Sequence, residues 1–209
     1  MVASFLGTIF FIGRILEKIS PSSKLFGMAV FAFNPLVIIE SLVSAHHDIV
    51  MMFFSLGAIY FLLDKKYLRA FLLLVLSIGI KFSTVFLLPI FIAVFIMQMC
   101  NIKIDWEKMF RYSIVLMIIS VVLASIRTEL QPWYLIWVLP LAPFLSKKKE
   151  LLSASAIISL GLLLHYVPFL YTGNWDPPIP IIKFWLTTTS IVIALGFWYN
   201  AINEKIRRL

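Results

Sequence analysis

Between two strongly apolar runs the chain reads NPLVIIESLVSAHHDIVMM, Asn34 to Met52, which brings Glu40, His46, His47 and Asp48 together in one short segment. Two carboxylates and two imidazoles can supply a general base, a proton relay or oxygen ligands for a hard cation. Each is costly in lipid, so they belong in water at a membrane surface or along a polar cavity. If the segment is helical, Glu40, Ser44 and His47 share a face at i, i+4 and i+7, with Asp48 beside them. Glu40 and Asp48 are the candidate catalytic groups, and His46 and His47 are candidate substrate contacts. The competing reading is a solvated loop that ends two helices, with Asp48 as a cap. No spacing here is a metal signature, so no metal ligand is assigned and a divalent cation stays open as a cofactor.

Two further stretches carry chemistry. Lys81 stands in SIGIKFSTVFLLP with no carboxylate within ten residues on either side. An isolated ammonium at a membrane surface suits a phosphate, and a lipid head group is its expected counter-charge, with snorkelling as the alternative. The stretch SIRTELQPWYLIWVLP, Ser125 to Pro140, offers a guanidinium fork in Arg127, sugar-type hydrogen bonds from Glu129 and Gln131, and flat rings in Trp133, Tyr134 and Trp137. His165 completes the candidate substrate-binding set. The loop LYTGNWDPPIPIIK, Leu170 to Lys183, reads as a lid or a stiff turn.

The elements that must position these groups are membrane spans. The 209 residues are 62% hydrophobic and 13% charged, well outside the balance of soluble domains. The formal charge of +8 is spread in short clusters between apolar runs, as in cytoplasmic loops, which argues against nucleic-acid binding. A single cysteine excludes an intramolecular disulfide and a thiolate metal cluster. Apolar runs cover 2–13, 25–39, 49–63, 68–80, 82–99, 112–126, 135–145, 151–168 and 184–200. The expected fold is therefore all-α and polytopic, one multi-span domain over 1–209 with about nine transmembrane or re-entrant helices. Several runs fall short of the roughly 20 residues a span needs, and Pro35 and Pro89 mark expected kinks.

Charge sets the orientation. With the chain turning at Lys81, 15 of the 18 lysines and arginines fall on one side, leaving Lys81, Arg127 and Lys183 on the other. A single helix over 68–99 would give eight against nine and strand Lys81 in lipid. The basic side is the cytoplasmic one. This predicts a cell-membrane, multi-pass protein with an outer amino terminus, a cytoplasmic carboxyl terminus and every candidate site residue on or near the outer face.

The three motifs, in this order, resemble those of membrane glycosyltransferases of the GT-C superfamily, particularly the polyprenol-phosphate-mannose-dependent type. The resemblance implies an all-helical enzyme that moves a hexose such as mannose from a polyprenyl-phosphate donor to a glycan or lipid acceptor on the extracytoplasmic face. It carries over Asn34, Pro35, Glu40, His46 and Asp48 to the outer-loop motif, Lys81 to the membrane lysine, and Gln131, Pro132, Trp133 and Tyr134 to the later loop. His47 stands where an asparagine is more usual. Family members begin with further helices and an acidic first outer loop, so the chain is expected to match the carboxyl-terminal part of such an enzyme and to work with an amino-terminal partner chain. A flippase or carrier for lipid-linked saccharide, or a non-catalytic membrane subunit, are the alternative functions.

Overall fold

The computed structural model describes residues 1–145 and 149–207. Of the basic clusters used for orientation, Lys147, Lys148 and Arg208 lie outside the described residues, as do the side chains of Lys149, Lys205 and Arg207. Among the described residues every regular element is helical. The α-helices are α1 Val2–Ile19, α2 Lys24–Ala32, α3 Pro35–Ile38, α4 Asp48–Leu63, α5 Tyr67–Ile80, α6 Leu88–Met99, α7 Trp106–Thr128, α8 Lys149–Leu163, α9 Tyr166–Thr172 and α10 Ile179–Arg207.

Four stretches are long and apolar enough to cross a membrane: Phe82–Met99, Trp106–Thr128, Glu150–Thr172 and Ile179–Asn200. A fifth is added if the bent pair Pro21–Ala32 and Pro35–Val43 is one broken span. Phe71, Leu72, Ile119, Val122, Val192 and Phe197 point outward from these and neighbouring helices, an exposure that water penalises and lipid does not. Several of the nine apolar runs thus become something shorter than a span. The runs at 49–63 and 68–80 form the short helices α4 and α5, which pack closely against each other.

Local sequence explains the breaks. The helix carrying α2 stops at Phe33, where Asn34 caps α3 through its side-chain oxygen on the Leu36 and Val37 amides and Pro35 fills the first turn. The two arms meet at 59°. Pro89, by contrast, kinks nothing: it sits in the first turn of α6, where its missing N–H costs no hydrogen bond. The helix also breaks at Lys81, which is extended between α5 and a 3-10 segment, Phe82–Leu87.

The run at 135–145 is the clearest departure from an α-helical span. It lies within two 3-10 segments, Pro132–Trp137 and Leu139–Leu145, that thread the interior beside α7. One end meets the close of α7, where Thr128 bonds Tyr134, and the other meets its opening, where Phe144 stacks on Phe110 at 4.2 Å. Pro132, Pro140 and Pro143 forbid a continuous α ladder, and a 3-10 rise of ~2.0 Å per residue carries the short run further than an α-helix would. Non-helical backbone at such depth is tolerated only inside protein, and every residue of Leu139–Leu145 is buried.

Candidate functional site

The three stretches that carry chemistry converge at one end of α4. Asp48 opens that helix and is almost fully buried at 2% exposure. Its Oδ1 takes hydrogen bonds from the Lys81 ammonium at 2.7 Å and from the Trp137 indole N–H. The ammonium also stands over the rings of Trp137 and Tyr134, 4.9 and 5.3 Å from their centroids. The lysine with no carboxylate near it in sequence therefore has one in space, and its counter-charge is Asp48 where a lipid head group was expected. Below the pair, Ser77 donates to the Met51 carbonyl and shares hydrogen bonds with Ser55 and Thr84, which satisfies the polar groups where α4 and α5 meet.

Glu40 and His46 form a second group next to the first. Residues 39–43 wind as a π turn, with the Ser44 amide reaching back to the Ile39 carbonyl, and Ala45 then takes φ 56°. The extra residue per turn destroys the i, i+4, i+7 face expected for Glu40, Ser44 and His47. Glu40 turns in and is wholly buried, while Ser44 and His47 remain exposed. The Glu40 carboxylate instead accepts the Tyr166 hydroxyl at 2.8 Å on Oε1 and lies 3.4 Å from His46 Nε2 on Oε2. His46 stacks flat on Trp133, centroids 4.1 Å apart and planes 18° from parallel. The two adjacent histidines point apart, His46 half-buried and His47 exposed. Burial holds the His46 imidazole below its usual 6.5, with Asp48 pulling the other way and Lys81 and His47 adding to the depression.

The remaining candidates are spread around this centre. Arg127 is exposed in the last turn of α7, one residue before the Thr128 that bonds Tyr134, and has no ion-pair partner among the described residues. Glu129 is exposed and reaches Lys183 at 3.5 Å. Gln131 is half-buried and donates to the Thr128 carbonyl at 3.4 Å. His165 lies apart from the cluster, buried between α9 and α10 with Nε2 2.8 Å from the Thr187 hydroxyl. The loop after α9 is a stiff turn: Gly173 takes φ 74° and Trp175 is fixed between Phe169, stacked at 4.5 Å, and the Lys183 ammonium.

Tyr166 and Thr128 are site residues that pattern reading missed. The signal for Tyr166 was a phenol beside His165 in an otherwise apolar run, since a buried hydroxyl needs a partner. Among the described residues no group of three His, Cys, Asp or Glu side chains is arranged to hold a metal ion.

Fold and site together define a helical membrane protein with a charged and aromatic cluster at one end of its bundle. Residues 1–98 match a protein family described as alpha-(1->6)-mannopyranosyltransferase, N-terminal domain, which supports a mannosyltransferase and a mannosyl transfer. The matched part holds Glu40, His46, Asp48 and Lys81, while the aromatic half of the site lies beyond it. No curated protein and no solved structure matches the chain.

Proposed function

We propose that the chain is a GT-C-type membrane glycosyltransferase that transfers mannose from a polyprenyl-phosphate donor to a glycan or lipid acceptor on the extracytoplasmic face. The observation that carries this reading is the convergence of Glu40, His46, Asp48, Lys81, Trp133, Tyr134 and Trp137 at one end of α4. Asp64, just beyond the far end of α4, pairs with Lys18 and Lys66, so these two basic residues lie at the opposite end of α4 from the site. That separation agrees with the orientation that puts the basic side in the cytoplasm and the carboxyl terminus with it.

The division of labour follows from the contacts. A departing polyprenyl phosphate needs fixed positive charge, and Arg127 and Lys81 provide it from the close of α7 and the break before α6. Glu129, Gln131 and Trp133 offer the hydrogen bonds and ring face a hexose uses, with His47 exposed at the same rim; Tyr134, expected as a substrate contact, is buried behind them against Trp137 and the Lys81 ammonium. His165 supports the packing of α9 on α10, which holds Tyr166 against Glu40. The same family match that supports mannosyl transfer covers Glu40, His46, Asp48 and Lys81, while Arg127, Glu129 and the aromatic residues lie beyond it.

The test is release and transfer of labelled mannose from a polyprenyl-phosphate donor in membranes that contain or lack the chain. Transfer that depends on the chain supports the enzyme. Movement of intact lipid-linked sugar across the membrane without bond cleavage would replace it with a carrier.

A further inference from the structure

Resting on that glycosyl-transfer reading, we propose that His46 is the proton acceptor for the incoming acceptor hydroxyl and that Glu40 is the residue that positions it. Both carboxylates of the cluster are turned inward. Glu40 is wholly buried and bonded to Tyr166, and Asp48 is nearly so and bonded to Lys81 and Trp137. Glu40 presents no oxygen to a ligand at the surface, and the Asp48 side chain is only 3% exposed. His46 does reach the surface, with 29% of its side chain exposed.

The ring is held on two sides. Trp133 covers one face, and Glu40 Oε2 lies 3.4 Å from Nε2. That oxygen is buried and accepts no hydrogen bond from the protein. An unsatisfied buried carboxylate oxygen is costly, so it favours the tautomer with the proton on Nε2 and the lone pair on Nδ1. An imidazole with a carboxylate behind one nitrogen and a lone pair on the other is the arrangement that supports general-base catalysis.

In the step proposed, the acceptor O–H proton passes to His46 Nδ1. The oxygen's electron pair forms the bond to the anomeric carbon, and the bond from that carbon to the phosphate oxygen breaks with its pair leaving on the polyprenyl phosphate. The imidazolium is stabilised by Glu40 and later returns its proton to water. The charged and titratable groups facing His46 are Glu40 from the π turn, Asp48 from α4, His47 beside it and Lys81 from the break before α6. Because burial outweighs the pull of Asp48, the His46 imidazole is held below its usual 6.5, and the acid limb caused by its protonation is expected on the acid side of that value.

Mannosyl transfer is measured against pH in membranes of cells lacking the native gene and complemented with each variant. His46→Gln is expected to lower kcat by about 100-fold or more at unchanged donor KM and to abolish the acid limb. Glu40→Gln is expected to lower kcat and move that limb to lower pH, a shift that a purely structural role would not produce. Nitrogen-15 NMR of histidine-labelled protein in nanodiscs, with His47→Gln used for assignment, supplies a readout independent of turnover: the neutral Nε2–H tautomer at pH 7 is expected. Full kcat in His46→Gln, or an Nδ1–H tautomer or imidazolium for His46 at pH 7, would overturn the proposal while leaving glycosyl transfer intact. Absence of transfer by the wild type at every pH would overturn both.

Discussion

Asp48 and Lys81, 33 residues apart in the chain, meet at 2.7 Å and tie the opening of α4 to the break between α5 and α6. The pair is asymmetric: the Asp48 side chain is 3% exposed and that of Lys81 is 35% exposed. The carboxylate has thus lost its hydration and depends on the ammonium and the Trp137 N–H to replace it, whereas the ammonium keeps part of its own.

That asymmetry predicts unequal single mutants. Lys81→Met leaves a buried carboxylate without its counter-ion and is expected to cost about 3 kcal/mol, read as a lowered unfolding midpoint in detergent. Asp48→Asn removes the charge that needed compensation and is expected to cost less. The double variant should fall between wild type and Lys81→Met, giving a coupling of about 1–2 kcal/mol. Additive losses would show that the pair holds nothing together.

What was legible in the sequence, and what was not, divides along one physical line. The break at Lys81 and the one at Asn34–Pro35 could be read because a charge and a proline interrupt apolar runs. The pairing of Lys81 with Asp48 could not, since it crosses two helices and no local pattern encodes it. The face predicted for Glu40 and His47 failed because a π turn changes the period, and nothing in IIESLV distinguishes it from an α turn. The run over 135–145 reads as one of the apolar helices; Pro132, Pro140 and Pro143 make it 3-10 instead, and nothing in the apolar pattern told that it would be enclosed. Fewer full-length spans than apolar runs follow from length: α4 and α5 are apolar but, at 16 and 14 residues, shorter than the roughly 20 residues a perpendicular span needs.

The crossing of α8 and α10 offers a packing test away from the site. A Cβ on Gly161 would stand 1.7 Å from Ser190 Oγ and 2.5 Å from Ser190 Cβ, too close for a side-chain rotation to relieve. Gly161→Ala is therefore expected to push the helices apart and destabilise by about 1–3 kcal/mol. Ser190→Gly should restore part of the loss in the Gly161→Ala background. Unchanged thermal stability of Gly161→Ala would show that the two helices pack more loosely than this.

Orientation is tested by reporters. Fusions after Asp48, Lys81, Gln131 and Asp176 are expected to read extracytoplasmic, and those after Lys66, Lys149 and Leu209 cytoplasmic. The structural basis is α4 itself, with the Asp48–Lys81 pair at its opening and the Asp64–Lys18 pair beyond its close. A cytoplasmic reading after Asp176 would mean that α8 with α9 does not cross as one span.

Donor phosphate binding separates Lys81, Arg127 and Lys183, because each is engaged differently. Lys183 is spoken for by Glu129 and the Trp175 ring, and Lys81 is committed in part to Asp48 and two aromatic faces. Arg127 has no ion-pair partner among the described residues and stands exposed beside Thr128 at the edge of the cluster. Its planar fork can hold two phosphate oxygens at once, which an ammonium cannot. Arg127→Lys is expected to weaken polyprenyl-phosphate binding by about tenfold, a loss of ~1.4 kcal/mol. Lys81→Ala should weaken it by at least as much, with the stability cost of unpairing Asp48 measured alongside, and Lys183→Ala should change it little. The measurement is binding of the lipid phosphate to the protein in nanodiscs at two salt concentrations, since an exposed guanidinium is screened and a partly buried ammonium less so. Small and equal effects of all three substitutions would reduce these cations to anchors at the membrane surface and remove them from the donor site.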